Sequence, residues 1–358
     1  MKNKKQRNFI LPIAYILVAI GFIFVSLSSL SEANSISSDK FLLVKKQLLW
    51  ILTGSVSFLI ASKINLKLLQ KYSTHLFILS VISLILVLIP NFSQSILGAK
   101  RWLQLGPISF QPTEIFKLIS IIYFSALFSK EKTRNIQSLL FSITIPLFLI
   151  MAEPSMSTTI LISAITLSIY YLSGANTIQL SLLCLLGATL SFIIVLLSPY
   201  RNARLNTLLN PQNDPSGSSY HSKQNILALA SGGLFGKGIG NSKQKYSFLP
   251  QLSTDSIFAI IGEETGFVGS TIILSLYFLL INSIFSISKN SKNQFHQLLC
   301  SGTACWIAYQ SIVNTAAISA VIPLTGIPLP FISYGGSSLI CLLFSIGLVY
   351  NIYKTNEN

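Results

Sequence analysis

Five ionisable residues, Glu114, Lys117, Glu153, Glu263 and Glu264, stand in or at the edge of long apolar runs, where an isolated charge is costly and usually faces a cavity or a partner. Glu114 and Lys117 are three apart on one helical face, so they can form an intrahelical ion pair or line a substrate cavity. Glu263 and Glu264 fall about two turns into the eighth apolar run, roughly 10 Å deep at about 1.5 Å per residue. Gly262, Gly266 and Gly269 around them let helices approach closely. Neighbouring helical residues point about 100° apart, so at most one of the two is expected to face a given cavity. A sixth, Asp255, immediately precedes that run, after Ser253 and Thr254. The spacing favours a helix N-cap; the alternative is a carboxylate that orients or deprotonates a substrate hydroxyl. The helix dipole is expected to keep it ionised, which leaves little intrinsic basicity and puts the weight on geometry.

The elements that must position these groups are membrane spans. With 51% hydrophobic and 10% charged residues and a mean hydropathy of +0.65, the 358 residues carry more apolar surface than one soluble core can hide. Apolar runs fall near 9–30, 44–61, 72–90, 110–128, 138–152, 158–173, 177–197, 256–287, 297–322 and 337–353. They predict an all-α, polytopic membrane protein of about ten spans, with residues 1–358 as one membrane domain. Several runs are short for a bilayer and the eighth is long, which predicts tilted and broken helices. The first run follows Lys2, Lys4, Lys5 and Arg7 and is longer than a signal peptide's apolar core, so it reads as an uncleaved span.

Basic residues in short loops, such as Lys63, Lys67, Lys71, Lys130, Lys132 and Arg134, place the N- and C-termini in the cytoplasm. The opposite face is less depleted than that rule expects: Lys100, Arg101, Arg204, Lys243 and Lys245 all fall there. A net charge of +15 split over both faces points to anionic lipid headgroups and away from nucleic acid. Cys184, Cys300, Cys305 and Cys341 lie inside predicted spans without metal-ligand spacing and read as packing residues.

The longest outer segment runs from about 198 to 255, between the seventh and eighth spans. Its first part, 200–220, is rich in Asn, Pro, Ser and Gly, and its middle, 221–230, can form a short amphipathic helix in the interface. Gly236-Lys237-Gly238-Ile239-Gly240 follows no strand and opens no βαβ unit, which excludes a nucleotide loop.

Four ordered motifs make the chain similar to one family. Gly98-Ala99-Lys100-Arg101-Trp102-Leu103-Gln104-Leu105-Gly106 with Phe110-Gln111-Pro112-Thr113-Glu114 resembles the loop and fourth-helix start of the SEDS family (shape, elongation, division and sporulation). Asp214-Pro215 through Gly232 to Ser242, then Leu249-Pro250 through Asp255 to Gly266, resemble its large extracytoplasmic loop, and Pro328 to Ser338 its last loop. The resemblance covers essentially the whole chain.

It implies a peptidoglycan glycosyltransferase that polymerises lipid II on the outer membrane face and releases undecaprenyl pyrophosphate. Asp255 matches the family's essential acidic residue, which activates the acceptor hydroxyl for inverting attack on the donor's anomeric carbon. Lys100 and Arg101, joined by Arg204, Lys243 and Lys245, could neutralise the pyrophosphate. Glu114, Lys117 and Glu264 would line or support the cleft, with Tyr334 shaping it. A divalent cation, Mg or Mn, could sit on the pyrophosphate, but no protein ligand cluster announces one. The residues at 41–50 and 240–245 look more like the division branch than the elongation branch, which implies a septal location in the bacterial inner membrane. They also imply a class B penicillin-binding transpeptidase (FtsI-like) and other division proteins as partners. Two departures stand out: Ser253 and Ser256 replace the usual His and Phe, and Glu153-Pro154-Ser155-Met156-Ser157 replaces the usual Gln-Pro-Asp-x-Gly. A lipid II flippase also accounts for the buried charges, but transporter sites lie near the midplane.

Overall fold

The computed structural model describes residues 9–36, 41–90, 92–96, 99–105, 108–209, 218–244 and 253–357. Helices account for nearly all of the regular structure: α1 Ile10–Ile36, α2 Leu42–Ala61, α3 Leu66–Leu88, α4 Pro112–Phe128, α5 Ile136–Ala152, α6 Met156–Leu172 and α7 Thr177–Leu197. Two helices of the long connecting segment follow, α8 Pro199–Leu209 and α9 Ser218–Gly232, and then α10 Ile257–Asn290, α11 Gln294–Ile318 and α12 Gly336–Glu357. Six of the described helices, α1, α2, α3, α7, α10 and α12, are long and apolar enough to cross a membrane. The apolar α5 and α6 are shorter, with 17 residues each.

Local chemistry sets the helix boundaries. Asn65, Asn135, Asn176 and Asn293 cap α3, α5, α7 and α11, each accepting backbone N–H bonds of the first turn at 2.8 to 3.4 Å. All four caps lie at turns of the same end of the bundle, where Asn351 also binds the carbonyls of Ala61 and Ile64. Pro112 opens α4, where its missing N–H costs nothing. The buried α4 and α11 pack against each other, and α4 also meets α3, α6 and α12. By contrast α7 has no buried residue and lies at the margin of the bundle, where Leu183 packs against the core and Gln179 accepts from Tyr170.

The other end is built from three connecting segments. The stretch before α4, expected as a plain loop, forms a three-stranded antiparallel sheet of β1 Ser93–Ile96, β2 Ala99–Leu105 and β3 Ile108–Phe110. Its registers, such as Gln94 opposite Trp102 and Gln104 opposite Ser109, bring Arg101 onto the central strand. Part of 200–220 is helical, as α8, in spite of its richness in Asn, Pro, Ser and Gly. The expected amphipathic helix is present as α9; it packs on α10, with Ala228 fully buried.

The long eighth run is broken, as its length predicts. Gly266 takes φ 69°, ψ −165° inside α10, a conformation that favours glycine, and a Cβ there would lie 2.3 Å from Gly236 N. A break inside a membrane helix frees backbone groups that must find partners. Residues 233–238 supply them: Phe267 and Val268 N–H donate to Gly233 and Leu234 carbonyls at 2.9 and 3.1 Å. In return Lys237 and Gly238 N–H donate to the carbonyls of Glu263 and Glu264, each at 3.0 Å. Those are the two carbonyls that Phe267 and Val268 would use in an unbroken helix.

Candidate active site

Asp255 sits at the head of α10, partly buried. It is not the N-cap: Ser256 holds that position, no side-chain capping bond forms, and the Ser256 hydroxyl instead lies 2.7 Å from His221 Nε2 on α9. Burial pushes the Asp255 carboxyl up to about 6, while the nearby positive charges of Arg101 and Arg204 pull it down. The expectation of a dipole-stabilised, weakly basic carboxylate is therefore corrected, because desolvation outweighs the favourable charges and leaves a group matched to accepting a proton near neutral pH.

Both guanidinium groups are anchored on main chain. Arg101 on β2 donates from Nε to the Glu153 carbonyl at 3.1 Å and from Nη2 to the Pro154 carbonyl at 2.6 Å, joining the sheet to the turn between α5 and α6. Arg204 on α8 donates from Nη1 to the Leu324 carbonyl at 2.9 Å. Segments far apart in sequence thus bring β2, α8 and the head of α10 together around one carboxyl group. Gly326 belongs to the same corner, since a Cβ on it would stand 3.4 Å from Asp255 Oδ2. Tyr334 closes the frame through its N–H, which donates to the Ser253 carbonyl at 2.8 Å, and its side chain meets the Trp50 indole.

Two residues in this frame were not legible as site residues. Asn314 on α11 donates Nδ2 to the carbonyls of Asp255 and Ile327 at 3.1 and 2.8 Å. One turn away, Gln310 donates to the Pro328 carbonyl at 2.8 Å and accepts from Trp306 Nε1 at 2.7 Å and Lys117 Nζ at 3.2 Å. Polar amides four apart in an otherwise apolar run are the signal that could have found them.

The remaining candidates separate from Asp255. Glu114 and Lys117 form the buried ion pair at 2.8 Å, and Lys117 Nζ stands 5.3 Å over the Trp306 ring. Glu264 accepts from Gly240 N at 2.8 Å and Ser242 N at 3.2 Å. Glu263 pairs with Lys237 Nζ at 2.7 Å and accepts from the Ser242 hydroxyl at 2.5 Å. Both carboxylates therefore serve one loop, where only one was expected to face a given partner. Lys243 belongs to that loop too: its N–H binds Glu263 at 3.2 Å and its side chain is exposed. Lys100 pairs with Ser95 along β2, and its side chain lies outside the described part, as does all of Lys245. Among the described residues no three His, Cys, Asp or Glu side chains gather to hold a metal ion.

The family model for FtsW, RodA and SpoVE, described as cell cycle protein, matches residues 7–358. The chain belongs to this family. It is the SEDS family that the four motifs resemble, and the relatives cover nearly its full length. The probable peptidoglycan glycosyltransferase FtsW of Coxiella burnetii is 33% identical over 352 residues, 96% of this chain and 94% of its own. The protein of the same name from Wigglesworthia glossinidia brevipalpis is 35% identical, over 93% and 89% of the two chains. Stage V sporulation protein E of Bacillus subtilis is 35% identical over 96% and 95%. A chain of a solved peptidoglycan synthase complex, studied for the coordination of polymerization and crosslinking, superposes with a TM-score of 0.81, 25% identity and 97% coverage of each chain. RodA of Thermus thermophilus, at 23% identity and a TM-score of 0.71 over 98% and 97%, shows the same fold. The chain is thus a multi-pass membrane bundle of the FtsW/RodA/SpoVE family.

Proposed function

We propose that this chain is a peptidoglycan glycosyltransferase that polymerises lipid II into glycan strands during cell division. The observation that carries the reading is the convergence of Arg101 and Arg204 on Asp255, at the end of the bundle where three outer segments meet. In this reading Asp255 takes the proton of the acceptor sugar hydroxyl as that oxygen attacks the donor's anomeric carbon from the face opposite the pyrophosphate. The anomeric C–O bond breaks with inversion, and the electron pair leaves with undecaprenyl pyrophosphate. Arg101 and Arg204 stabilise the charge that develops there, the role for which fixed donors count most. The names of the FtsW relatives support the activity.

The reading includes ten membrane crossings in one domain, with both termini cytoplasmic and the Asp255 corner outside. It also includes a class B transpeptidase partner at the septum, since serine transpeptidase chemistry needs a separate soluble domain; the likeness to a complex that coordinates polymerization and crosslinking supports that pairing. Lys100, Lys243 and Lys245 would extend the basic surface toward substrate, and Tyr334 would shape the cleft. Purified chain with its transpeptidase, supplied with lipid II, is expected to form glycan strands, and Asp255→Ala is expected to form none. Equal polymer from both would refute the mechanism. Lipid II translocation in liposomes without polymer under any partner condition would establish a flippase instead.

A further inference from the structure

Glu153 closes the turn between α5 and α6, is 1% exposed, and has no hydrogen-bond partner for either carboxyl oxygen among the described residues. A buried carboxylate in that condition lacks compensation and gives way to the neutral acid. Neither α5 nor α6 carries an Asp, Glu, Lys, Arg or His. The charged group that faces Glu153 is Arg101 from β2, which in turn faces Asp255 at the head of α10, with Arg204 on α8 facing Asp255 as well. Arg101 directs Nε and Nη2 to the main-chain carbonyls of Glu153 and Pro154. Burial outweighs its field on the carboxyl group, which is pushed up to about 8.

We propose that Glu153 serves the site as a neutral carboxylic acid, donating a hydrogen bond to a phosphate oxygen of the lipid pyrophosphate that Arg101 neutralises. This rests on the glycosyl-transfer reading above and adds a group to its binding site. The geometry favours a phosphate oxygen as the acceptor, because the carboxyl group lies within the field of the guanidinium assigned to the anion, which is tied to the same turn, and has no hydrogen-bond partner among the described residues. Once ionised, the same group has only lone pairs to offer and repels the phosphate. The replacement of the family's glutamine then becomes intelligible: a protonated carboxyl and an amide are near-isosteric, and each can donate. The difference is that only the carboxyl loses its donor as pH rises.

Two measurements test this. In the first, polymerisation by the chain with its transpeptidase is followed against pH; kcat/KM is expected to fall about tenfold between pH 8 and 9 or slightly above, as the acid ionises. Glu153→Gln, which cannot ionise, is expected to lack that alkaline limb, its own kcat/KM at pH 9 staying within about threefold of its value at pH 7. An unchanged alkaline limb in Glu153→Gln overturns the proposal. In the second, undecaprenyl pyrophosphate is added to Asp255→Ala protein and its Tm followed. Stabilisation is expected at pH 7, is lost at pH 9, and is retained at pH 9 in Asp255→Ala/Glu153→Gln. Equal stabilisation at both pH values without the second substitution overturns it. If wild type polymerises at no pH, the glycosyltransferase reading fails on its own and the binding measurement alone decides Glu153.

Discussion

Asn314 on α11 holds the main-chain carbonyl of Asp255 at 3.1 Å while its other amide hydrogen holds Ile327 at 2.8 Å. One buried side chain therefore fixes where the proposed base stands relative to the loop between α11 and α12. Asn314→Ala is expected to lower kcat by about 10- to 100-fold, the scale for misplacing a reacting group by about an ångström. KM for lipid II should change far less, because Asn314 does not reach substrate. Steady-state kinetics on detergent-purified complex separates the two, and an equal loss in KM alone would place Asn314 in binding.

The pH dependence on the acid side follows from Asp255. Its carboxyl is raised to about 6, so it is protonated and unable to accept a proton below that value, and ionised above it. Polymerisation is expected to rise about tenfold per pH unit up to about pH 6 and then level. The acid limb should move toward lower pH when Ser256 or His221 is altered so as to let water reach the carboxyl group. A wild-type profile flat from pH 5 to 7 would remove Asp255 from the role of base.

Arg101 reaches two carbonyls and faces Asp255 with one planar group, a task a lysine ammonium cannot copy. Arg101→Lys is expected to retain the fold and lose on the order of 100-fold in kcat/KM, the scale for removing one donor from a charge-stabilising site. Recovery of full activity by lysine would mean that charge alone matters there.

The Glu114 and Lys117 pair is buried, so removing one partner strands the other. Lys117→Met is expected to cost about 3–5 kcal/mol of stability, read as a lowered Tm or unfolding midpoint, and Glu114→Gln/Lys117→Met to recover most of it. Polymerisation restored along with stability identifies a structural pair; stability restored without polymerisation assigns the pair to the substrate path.

Much of the architecture was legible because the bilayer imposes long apolar runs, and each predicted run coincides with a described helix. The break in α10 could be anticipated from a run too long for one crossing and rich in glycine. Asp255 and Arg101 were reachable through the motifs, but their meeting was not, since 154 positions separate them and only the bundle brings them together. The β-sheet before α4 was missed because its short strands are pinned by cross-strand pairing and by packing of Leu103, neither of which is a local signal. The 100° separation between Glu263 and Glu264 misled because the loop wraps the helix end and meets both faces. Asn314 and Gln310 were overlooked inside a run judged by its mean hydropathy.

The exchange of backbone bonds between 233–238 and the break at Gly266 also limits how the chain can diverge. Deleting or inserting a residue in 233–238 would shift four hydrogen bonds at once and leave amides and carbonyls unpaired in the bundle. Length variation among descendants of this sequence is therefore confined to neighbouring stretches, and this short segment evolves under the same constraint as the helix it completes.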